Sequence, residues 1–180
     1  MKERRVILLN GCPGSGKDEI AQYLVRTKGF KTLAFKDQAY KSVYTYYNIS
    51  EDQYMSVYND REQKDQPQEF LGGLSPRKAM QYVVEQVNKP KLGRDYLARA
   101  TLDQILKDSD NDYVVSDLGL DEEEIITHYL LQKENYKILE VQRDGCTYTN
   151  DTRSRRLIID GVILNDGTLE ELYNKVDKLI

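Results

Sequence analysis

GCPGSGK, residues Gly11 to Lys17, is the most informative stretch of this 180-residue chain. It matches the pattern G-x-x-x-x-G-K, and it lies between an apolar run, 5–10, and a segment of helical periodicity that begins near Lys17. Glycines let the backbone turn its N–H groups inward, and the helix that follows adds the positive end of its dipole. The stretch therefore predicts a loop that binds the phosphates of a nucleoside triphosphate. The residues predicted to hold these phosphates are Gly11, Gly14, Ser15, Gly16 and Lys17.

Two acidic residues are predicted to bind Mg²⁺ beside this loop. Asp18 stands where the pattern usually has Ser or Thr, and a carboxylate can serve the ion directly or through water. Asp117 ends the apolar run 113–117, the position expected of an acid that holds Mg²⁺ through water. Both residues have an alternative role. Asp18 can simply interact with the helix dipole, and Asp117 can be a turn residue or a helix N-cap.

Apolar segments and amphipathic segments alternate along the whole chain. Such alternation predicts an α/β fold with a mainly parallel sheet and right-handed crossovers. Together with the phosphate-binding loop, it indicates the three-layer fold of P-loop NTPases with a five-stranded sheet. Ligands in such sheets bind at the carboxyl ends of the strands. The predicted strands are 5–10, 30–35, 113–117, 136–142 and 162–164. The predicted helices begin near 17, 36, 75, 94, 121 and 168.

Some segments carry more specific local signals. Ser75 followed by proline predicts a helix start, and Thr168 with Glu171 predicts a capping box. The polar, Tyr-rich stretch 48–73 shows little periodicity and is predicted to be irregular. The stretch 89–93, which contains Pro90 and Gly93, is predicted to break the helix that begins at Ser75.

Composition restricts the possible partners. The net charge of −4 provides no general attraction to nucleic acid or to anionic membranes, and no apolar run is long enough to span a bilayer. The two cysteines, Cys12 and Cys146, are too few and too far apart for a disulfide framework or a four-ligand metal site. We therefore expect a cytoplasmic protein, monomer or homodimer, whose partners are small-molecule nucleotides rather than nucleic acid polymers or membranes.

Arginines are grouped in segments that the fold places near ligands. A kinase acting on a phosphorylated acceptor needs cations for both substrates, because like-charged phosphates must be brought into line. Arg94 is expected to head the apolar face of the helix that follows it, an expensive place for a charge without a partner. The other candidates are Arg61, Arg77 (one turn before Gln81), Arg143, Arg153, Arg155 and Arg156.

Several of these blocks occur in the order that is typical of one enzyme family. The chain resembles the bacteriophage deoxynucleoside monophosphate kinases, relatives of adenylate and guanylate kinases, over nearly its whole length. Asp18 after the loop lysine is a feature of that family. The blocks that carry the resemblance are Gly14-Ser15-Gly16-Lys17-Asp18, Asp60-Arg61-Glu62, Ser75-Pro76-Arg77-Lys78-Ala79-Met80-Gln81, Gly93-Arg94-Asp95-Tyr96, Val114-Val115-Ser116-Asp117 and 163–172.

The resemblance implies a single kinase domain over 1–180, with an acceptor-binding insertion at about 48–92 and a lid at about 143–157. It implies ATP- and Mg²⁺-dependent transfer of the γ-phosphate to a (deoxy)nucleoside monophosphate, which gives the diphosphate. The residues implied to bind the acceptor are Lys41, Arg61, Arg77, Gln81 and Arg94. Those implied to be catalytic are Lys17 and, in the lid, Arg143, Arg153 and Arg155. Asn165 and Gly167 are implied to pass near the adenine of ATP.

Two alternatives remain open at this point. A Gly-Lys-Asp loop also occurs in phosphomevalonate-type kinases, so the acceptor could be another small phosphorylated molecule. The chain also departs from the family pattern, with Gly119 where related chains often have Arg and with an altered lid stretch, 150–156. The second alternative is therefore a nucleotide-binding module that has lost catalysis.

Overall fold

A computed structural model describes residues 4–119, 123, 126, 128–129, 135–147 and 159–180. Within these residues, five strands form one sheet in the order β2-β3-β1-β4-β5, and every strand pairing is parallel. This confirms the predicted α/β fold. The strands are β1 (Arg5–Asn10), β2 (Lys31–Leu33), β3 (Tyr113–Val115), β4 (Asn135–Gln142) and β5 (Gly161–Leu164).

Helices connect the strands. Helix α4 continues without a loop into a π-helical turn, Val83–Asn88, and then into α5. No helix among the described residues combines the length and apolar character that a membrane span requires. The helices are α1 (Lys17–Lys28), α2 (Phe35–Tyr47), α3 (Glu51–Tyr58), α4 (Pro76–Tyr82), α5 (Lys89–Leu92), α6 (Tyr96–Lys107) and α7 (Leu169–Asp177), with a 3₁₀ turn at Glu69–Leu71.

The described residues fall into two compact units, and the first, 4–35 with 101–180, contains the sheet. Strand β1 lies in the middle of the sheet and is apolar on both faces, as a strand covered on both sides must be. On one face Ile7 and Leu9 pack with Leu24 of α1 and with Leu172 and Val176 of α7. Helix α7 begins with the predicted capping box between Thr168 and Glu171.

The second unit, 36–100, is helical and is built around tyrosines. Tyr40, Tyr54 and Tyr58 are buried together with aliphatic side chains, and the rings of Tyr40 and Tyr58 meet edge to face at 4.8 Å. The Tyr54 hydroxyl donates to the carbonyl of Pro76 at 2.9 Å, so the buried ring also has its polar end satisfied. The predicted acceptor-binding insertion, 48–92, falls within this unit, and its role stays a prediction.

The prediction of an irregular stretch over 48–73 is wrong in part. Helix α3 occupies 51–58, and the Ser50 side chain caps it by accepting from the backbone N–H of Gln53 at 3.1 Å. The buried side chains of α3 are Tyr54, Val57 and Tyr58, which follow i, i+3, i+4 spacing. Two of the three are tyrosines, so the stripe looks polar when only aliphatic residues are taken as apolar.

The predicted helix break at 89–93 is confirmed only at its last residue. Pro90 follows the π-helical turn, in which the Lys89 N–H donates to the Val84 carbonyl five residues back, and the helical path continues past it to Leu92. The chain leaves the helix at Gly93, whose φ is +96°. The predicted helix over 121–133 lies largely outside the described residues.

Candidate functional site

The loop between β1 and α1 has the backbone conformation that its glycines predict. Gly11, Gly14 and Gly16 have φ values of +146°, +79° and +108°, which L-residues with a side chain rarely adopt. The turn is closed by a hydrogen bond from the N–H of Ser15 to the carbonyl of Cys12 at 3.1 Å. The loop therefore presents its backbone at the N-terminus of α1, the arrangement that favours an anion.

Gly11 is also held in a tight space. A Cβ placed on it would lie far inside contact distance of the Val141 carbonyl oxygen in β4 and 2.8 Å from the Ser15 hydroxyl oxygen. The first glycine of the loop thus lets the loop lie directly against the neighbouring strand.

The Lys17 ammonium lies inside the loop. Its side chain is buried, and Nζ donates to the carbonyl oxygens of Gly11 at 2.5 Å and of Cys12 at 2.9 Å. The Ser15 hydroxyl is buried beside it and has no hydrogen-bond partner within the part of the chain that the structure describes. Because a buried hydroxyl is costly without a partner, its presence here is typical of a ligand site.

Asn165 braces the loop from the end of β5. Its side-chain amide donates to the carbonyl of Ser15 at 2.9 Å, and a Cβ on Gly16 would lie 2.5 Å from the same nitrogen. Gly167 has a different constraint, because a Cβ there would collide with the Glu171 carboxylate of the capping box. The implied position of both residues near adenine stays a prediction.

The two candidate metal ligands follow neighbouring strands of the sheet. Asp18 is exposed in the first turn of α1 and lines a cavity of about 520 Å³ together with Ser116. Asp117 comes directly after Ser116, is half-buried, and accepts from the backbone N–H of Phe35 at 2.9 Å. Ser116 is a lining residue that the sequence did not single out, because it carries no pattern of its own.

This donor set fits Mg²⁺ that is held mainly by phosphate and water. Within the described ranges, no three His, Cys, Asp or Glu side chains cluster closely enough to hold a metal ion by themselves. Mg²⁺ usually keeps several waters and takes only one or two carboxylates plus substrate phosphates. Asp18 and Asp117 would provide that number of carboxylates, and their role as ligands stays a prediction.

A second cavity, of about 380 Å³, opens on the other side of the loop. Arg143 and Cys146, from the segment after β4, line it together with Cys12 and Asp166. The Arg143 guanidinium lies 3.4 Å from the Gly14 carbonyl oxygen, and its side chain is exposed. The other predicted lid arginines, Arg153, Arg155 and Arg156, lie outside the described residues.

The surroundings of the Cys12 thiol shift its pKa. Burial raises the pKa of Cys12 above its ordinary value, and the neighbouring Cys146 thiol raises it further. The sequence did not predict that Cys146 lies at the loop, since the two cysteines are far apart along the chain.

Three of the predicted acceptor residues lie on adjoining parts of the second unit. The Arg77 Nε donates to the Asp65 carboxylate at 2.9 Å, and the Arg77 backbone N–H donates to the carbonyl of Lys64. Arg61 is exposed in the turn that leads to this segment, and Gln81 is exposed one turn after Arg77 on α4. The structure therefore brings the 60–65 segment to the start of α4.

Lys41 and Arg94 are placed differently. Lys41 lines a cavity of about 370 Å³ with Tyr96, and no other predicted acceptor residue of the described unit is among its lining residues. Arg94 does not head an apolar helix face as expected, because α6 begins two residues later at Tyr96 and Arg94 is exposed before it.

Comparisons with known proteins agree with this architecture. No family model matches the chain. A protein of Acanthamoeba polyphaga mimivirus, inferred to be a deoxynucleotide monophosphate kinase, is 27% identical over 192 residues, covering 95% of this chain and 93% of its own.

Solved kinases share the fold at low sequence identity. An APS kinase of Mycobacterium tuberculosis, solved in complex with AMPPNP and APS, is 13% identical with a TM-score of 0.50, over 99% of this chain and 98% of its own. Dephospho-CoA kinase from Campylobacter jejuni is also 13% identical with a TM-score of 0.50, over 97% and 94% of the two chains. The chain thus has the α/β fold of P-loop kinases.

Proposed function

We propose that this chain is a kinase that transfers the γ-phosphate of ATP, in the presence of Mg²⁺, to a (deoxy)nucleoside monophosphate. The observation that carries the proposal is the Lys17 ammonium held inside a glycine loop at the N-terminus of α1. The acceptor class is supported by the mimivirus relative, which matches nearly the whole chain.

On the donor side, the loop provides charge and position. Backbone N–H groups from Gly11 to Lys17 bind the β- and γ-phosphates, and the Lys17 ammonium offsets the negative charge of the transferring group. Lys17 leaves its contacts with the Gly11 and Cys12 carbonyls to do so, which costs little because a phosphate oxygen is a stronger acceptor. Arg143, exposed beside the Gly14 carbonyl, supplies a second cation to the donor phosphates.

Mg²⁺, when bound, would supply positive charge that offsets the charge of the phosphates. Asp18 and Asp117 would hold it, directly or through water. The Asp18 carboxylate also favours nucleotide that carries Mg²⁺, because it repels phosphates without a bound cation.

On the acceptor side, cations orient the monophosphate. Arg61, Arg77 and Arg94 carry the charges, Gln81 contributes a neutral donor, and Lys41 adds a further cation. Arg77 forms an ion pair with Asp65, and both side chains are more than half exposed. Because such an exposed pair contributes little to stability, an acceptor phosphate can replace the Asp65 carboxylate at small cost. No side chain needs to be a strong base, because positioning and charge neutralisation supply most of the catalysis of phosphoryl transfer.

The test is a panel of deoxynucleoside monophosphates incubated with ATP and Mg²⁺, with ADP and the matching diphosphate quantified by chromatography. We expect turnover of at least one of them. The variant Lys17→Met keeps the length of the side chain but removes its charge, and we expect it to lower kcat/KM by about 100-fold or more. Circular dichroism and thermal unfolding of the variant serve as controls for folding.

Other outcomes would support the alternatives. Inert nucleotides together with turnover of another phosphate ester would indicate a kinase of a different acceptor. ATP binding that Lys17→Met abolishes, without transfer to any acceptor, would indicate a nucleotide-binding module. Absence of both binding and transfer would refute the proposal entirely.

A further inference from the structure

The two cysteines of the chain both line the cavity beside the phosphate loop. Cys12 is 5% exposed within the loop, whereas Cys146 is partly exposed after the turn at 144–145. The Cys146 sulfur would be 3.6 Å from a Cβ placed on Gly14, two residues after Cys12, and the neighbouring Cys146 thiol raises the pKa of Cys12. This cavity has a volume of about 380 Å³, and Arg143 also lines it.

We propose that Cys12 and Cys146 are a thiol-exchange site that forms a reversible disulfide with a low-molecular-weight disulfide as co-reactant, and that this disulfide weakens nucleotide binding. The second part rests on the proposed ATP-binding role of the loop. Where disulfides occur in reducing compartments, they are usually transient and redox-sensing rather than structural.

The chemistry proceeds in two exchange steps. The accessible Cys146 thiolate attacks one sulfur of oxidised glutathione, forms a mixed disulfide and releases one glutathione thiolate, which takes up a proton. Cys12 then loses its proton, and its sulfur attacks the Cys146 sulfur and releases the second glutathione. The protein loses two protons and two electrons, and oxidised glutathione becomes two molecules of reduced glutathione.

The order of the steps follows from exposure. Cys12 is almost completely buried, so a tripeptide disulfide reaches Cys146 first. The raised pKa of Cys12 makes it the slower thiol toward external reagents, but not toward a sulfur already in contact with it. Cys12 is thus suited to be the resolving cysteine of the pair.

Bond formation must bring the two sulfurs to about 2.05 Å, the length of an S–S bond. Cys12 is restrained because its carbonyl accepts from the Ser15 N–H and from Lys17 Nζ. The turn that carries Cys146 is less restrained. Gly145 is exposed with φ +78°, and a Cβ placed on it would have no described atom within 4 Å apart from its chain neighbours. The Cys146 N–H bonds locally, to the carbonyl of Arg143.

The turn therefore moves toward the loop when the disulfide forms. This movement holds Arg143, three residues before Cys146, in its contact with the Gly14 carbonyl, so that its guanidinium no longer turns toward the donor phosphates. Space next to the phosphate loop decreases, and the loop can no longer adjust around the phosphates. We expect the affinity for ATP to fall by about tenfold, a change of about 1.4 kcal/mol in binding free energy.

The experiment compares the full-length protein, reduced with dithiothreitol, with the same protein equilibrated with oxidised glutathione. Peptide mapping by mass spectrometry without reduction detects a Cys12–Cys146 linkage, and isothermal titration calorimetry measures the Kd of ATP. We expect the linked peptide, the tenfold loss of affinity, and recovery of both after dithiothreitol. Cys146→Ser is the matched control, and we expect its ATP affinity to be unaffected by oxidised glutathione.

Two results would overturn the proposal. One is the absence of a linked peptide while the thiols remain free or carry separate glutathione adducts. The other is a linked protein that binds ATP as tightly as the reduced form. If the reduced wild-type protein fails to bind ATP, the proposed function is refuted, and the effect of the disulfide on ATP binding is refuted with it. The peptide map still shows in that case whether Cys12 and Cys146 form a disulfide.

Discussion

Replacing Gly11 by alanine tests whether the first glycine of the phosphate loop is required by its surroundings as well as by its backbone. Its φ of +146° is unfavourable for any residue with a Cβ. The added methyl group would also press on the carbonyl oxygen of Val141 and lie 2.8 Å from the Ser15 hydroxyl oxygen. The first of these neighbours is backbone in the middle of a sheet and cannot rotate away.

The size of the effect follows from these two contributions. An unfavourable backbone conformation costs about 1–3 kcal/mol, and forcing a methyl group into a packed site costs a further 1–3 kcal/mol or so. We therefore expect Gly11→Ala to lower the free energy of unfolding by about 2–6 kcal/mol. Domains of this kind are stable by about 5–15 kcal/mol, so most of that range leaves a folded protein to measure.

Gly29→Ala is the matched control. Gly29 ends α1 with φ +72°, and no atom lies within 4 Å of a Cβ placed there. The substitution therefore has a backbone cost of about 1–2 kcal/mol without a steric one. Replacing glycine by alanine also lowers the entropy of the unfolded chain, which stabilises the folded state. This contribution is similar in both variants and cancels when their stabilities are compared.

The assay is equilibrium urea unfolding of both variants and the wild type, followed by calorimetric titration of ATP into the folded proteins. We expect Gly11→Ala to lose at least about 1 kcal/mol more stability than Gly29→Ala, and to lose ATP binding as well. Equal losses in the two variants would show that the close approach to β4 has no energetic consequence, and the reasoning would be refuted.

Three further predictions concern charged side chains. Asp18→Asn is expected to raise the Mg²⁺ concentration for half-maximal activity by about tenfold. Asp52→Asn, which changes another exposed acid in a first helical turn, is expected to leave that concentration unchanged, and equal shifts in both variants would show that Asp18 is not a metal ligand. Arg77→Gln is expected to raise the KM for the monophosphate and leave the KM for ATP unchanged, with the exposed Lys91→Gln as control, and a change confined to ATP would contradict the acceptor role. Hydrogen bonds, first from Lys31, hold the pKa of Asp108 well below its ordinary value, so its contribution to stability is complete above about pH 4 and is lost as the pH falls through the folded-state pKa. The difference in Tm between wild type and Asp108→Asn should therefore shrink from pH 7 to pH 3, and a constant difference would contradict this assignment.

Local interactions explain which parts of the fold the sequence predicted well. The start of α4 at Ser75 and the capping box of α7 each depend on side chains within three residues of one another. Strand β1 was predictable because a strand covered on both faces must be apolar at nearly every position. Helix α3 was missed because Tyr54 and Tyr58 count as polar in a pattern although both are buried.

The path of the chain through Pro90 shows another limit. A proline usually ends a helix, but here it falls in the first turn of α5, after a π-helical turn that shifts the hydrogen-bond register. A one-residue shift of this kind depends on how the surrounding side chains pack. It leaves no signal in the spacing of the residues themselves.

The sequence by itself determined the phosphate loop, because every group that shapes it, from Gly11 to Lys17, belongs to seven consecutive residues. Only the tertiary structure decided what surrounds the loop. It brings the amide of Asn165 to the Ser15 carbonyl, the Val141 carbonyl to Gly11, and the thiol of Cys146 to Cys12. These contacts join residues more than 120 positions apart, and the parallel pairing of β1 with β4 and of β4 with β5 creates them. Such neighbours follow from strand order, and strand order is a property of the whole sheet.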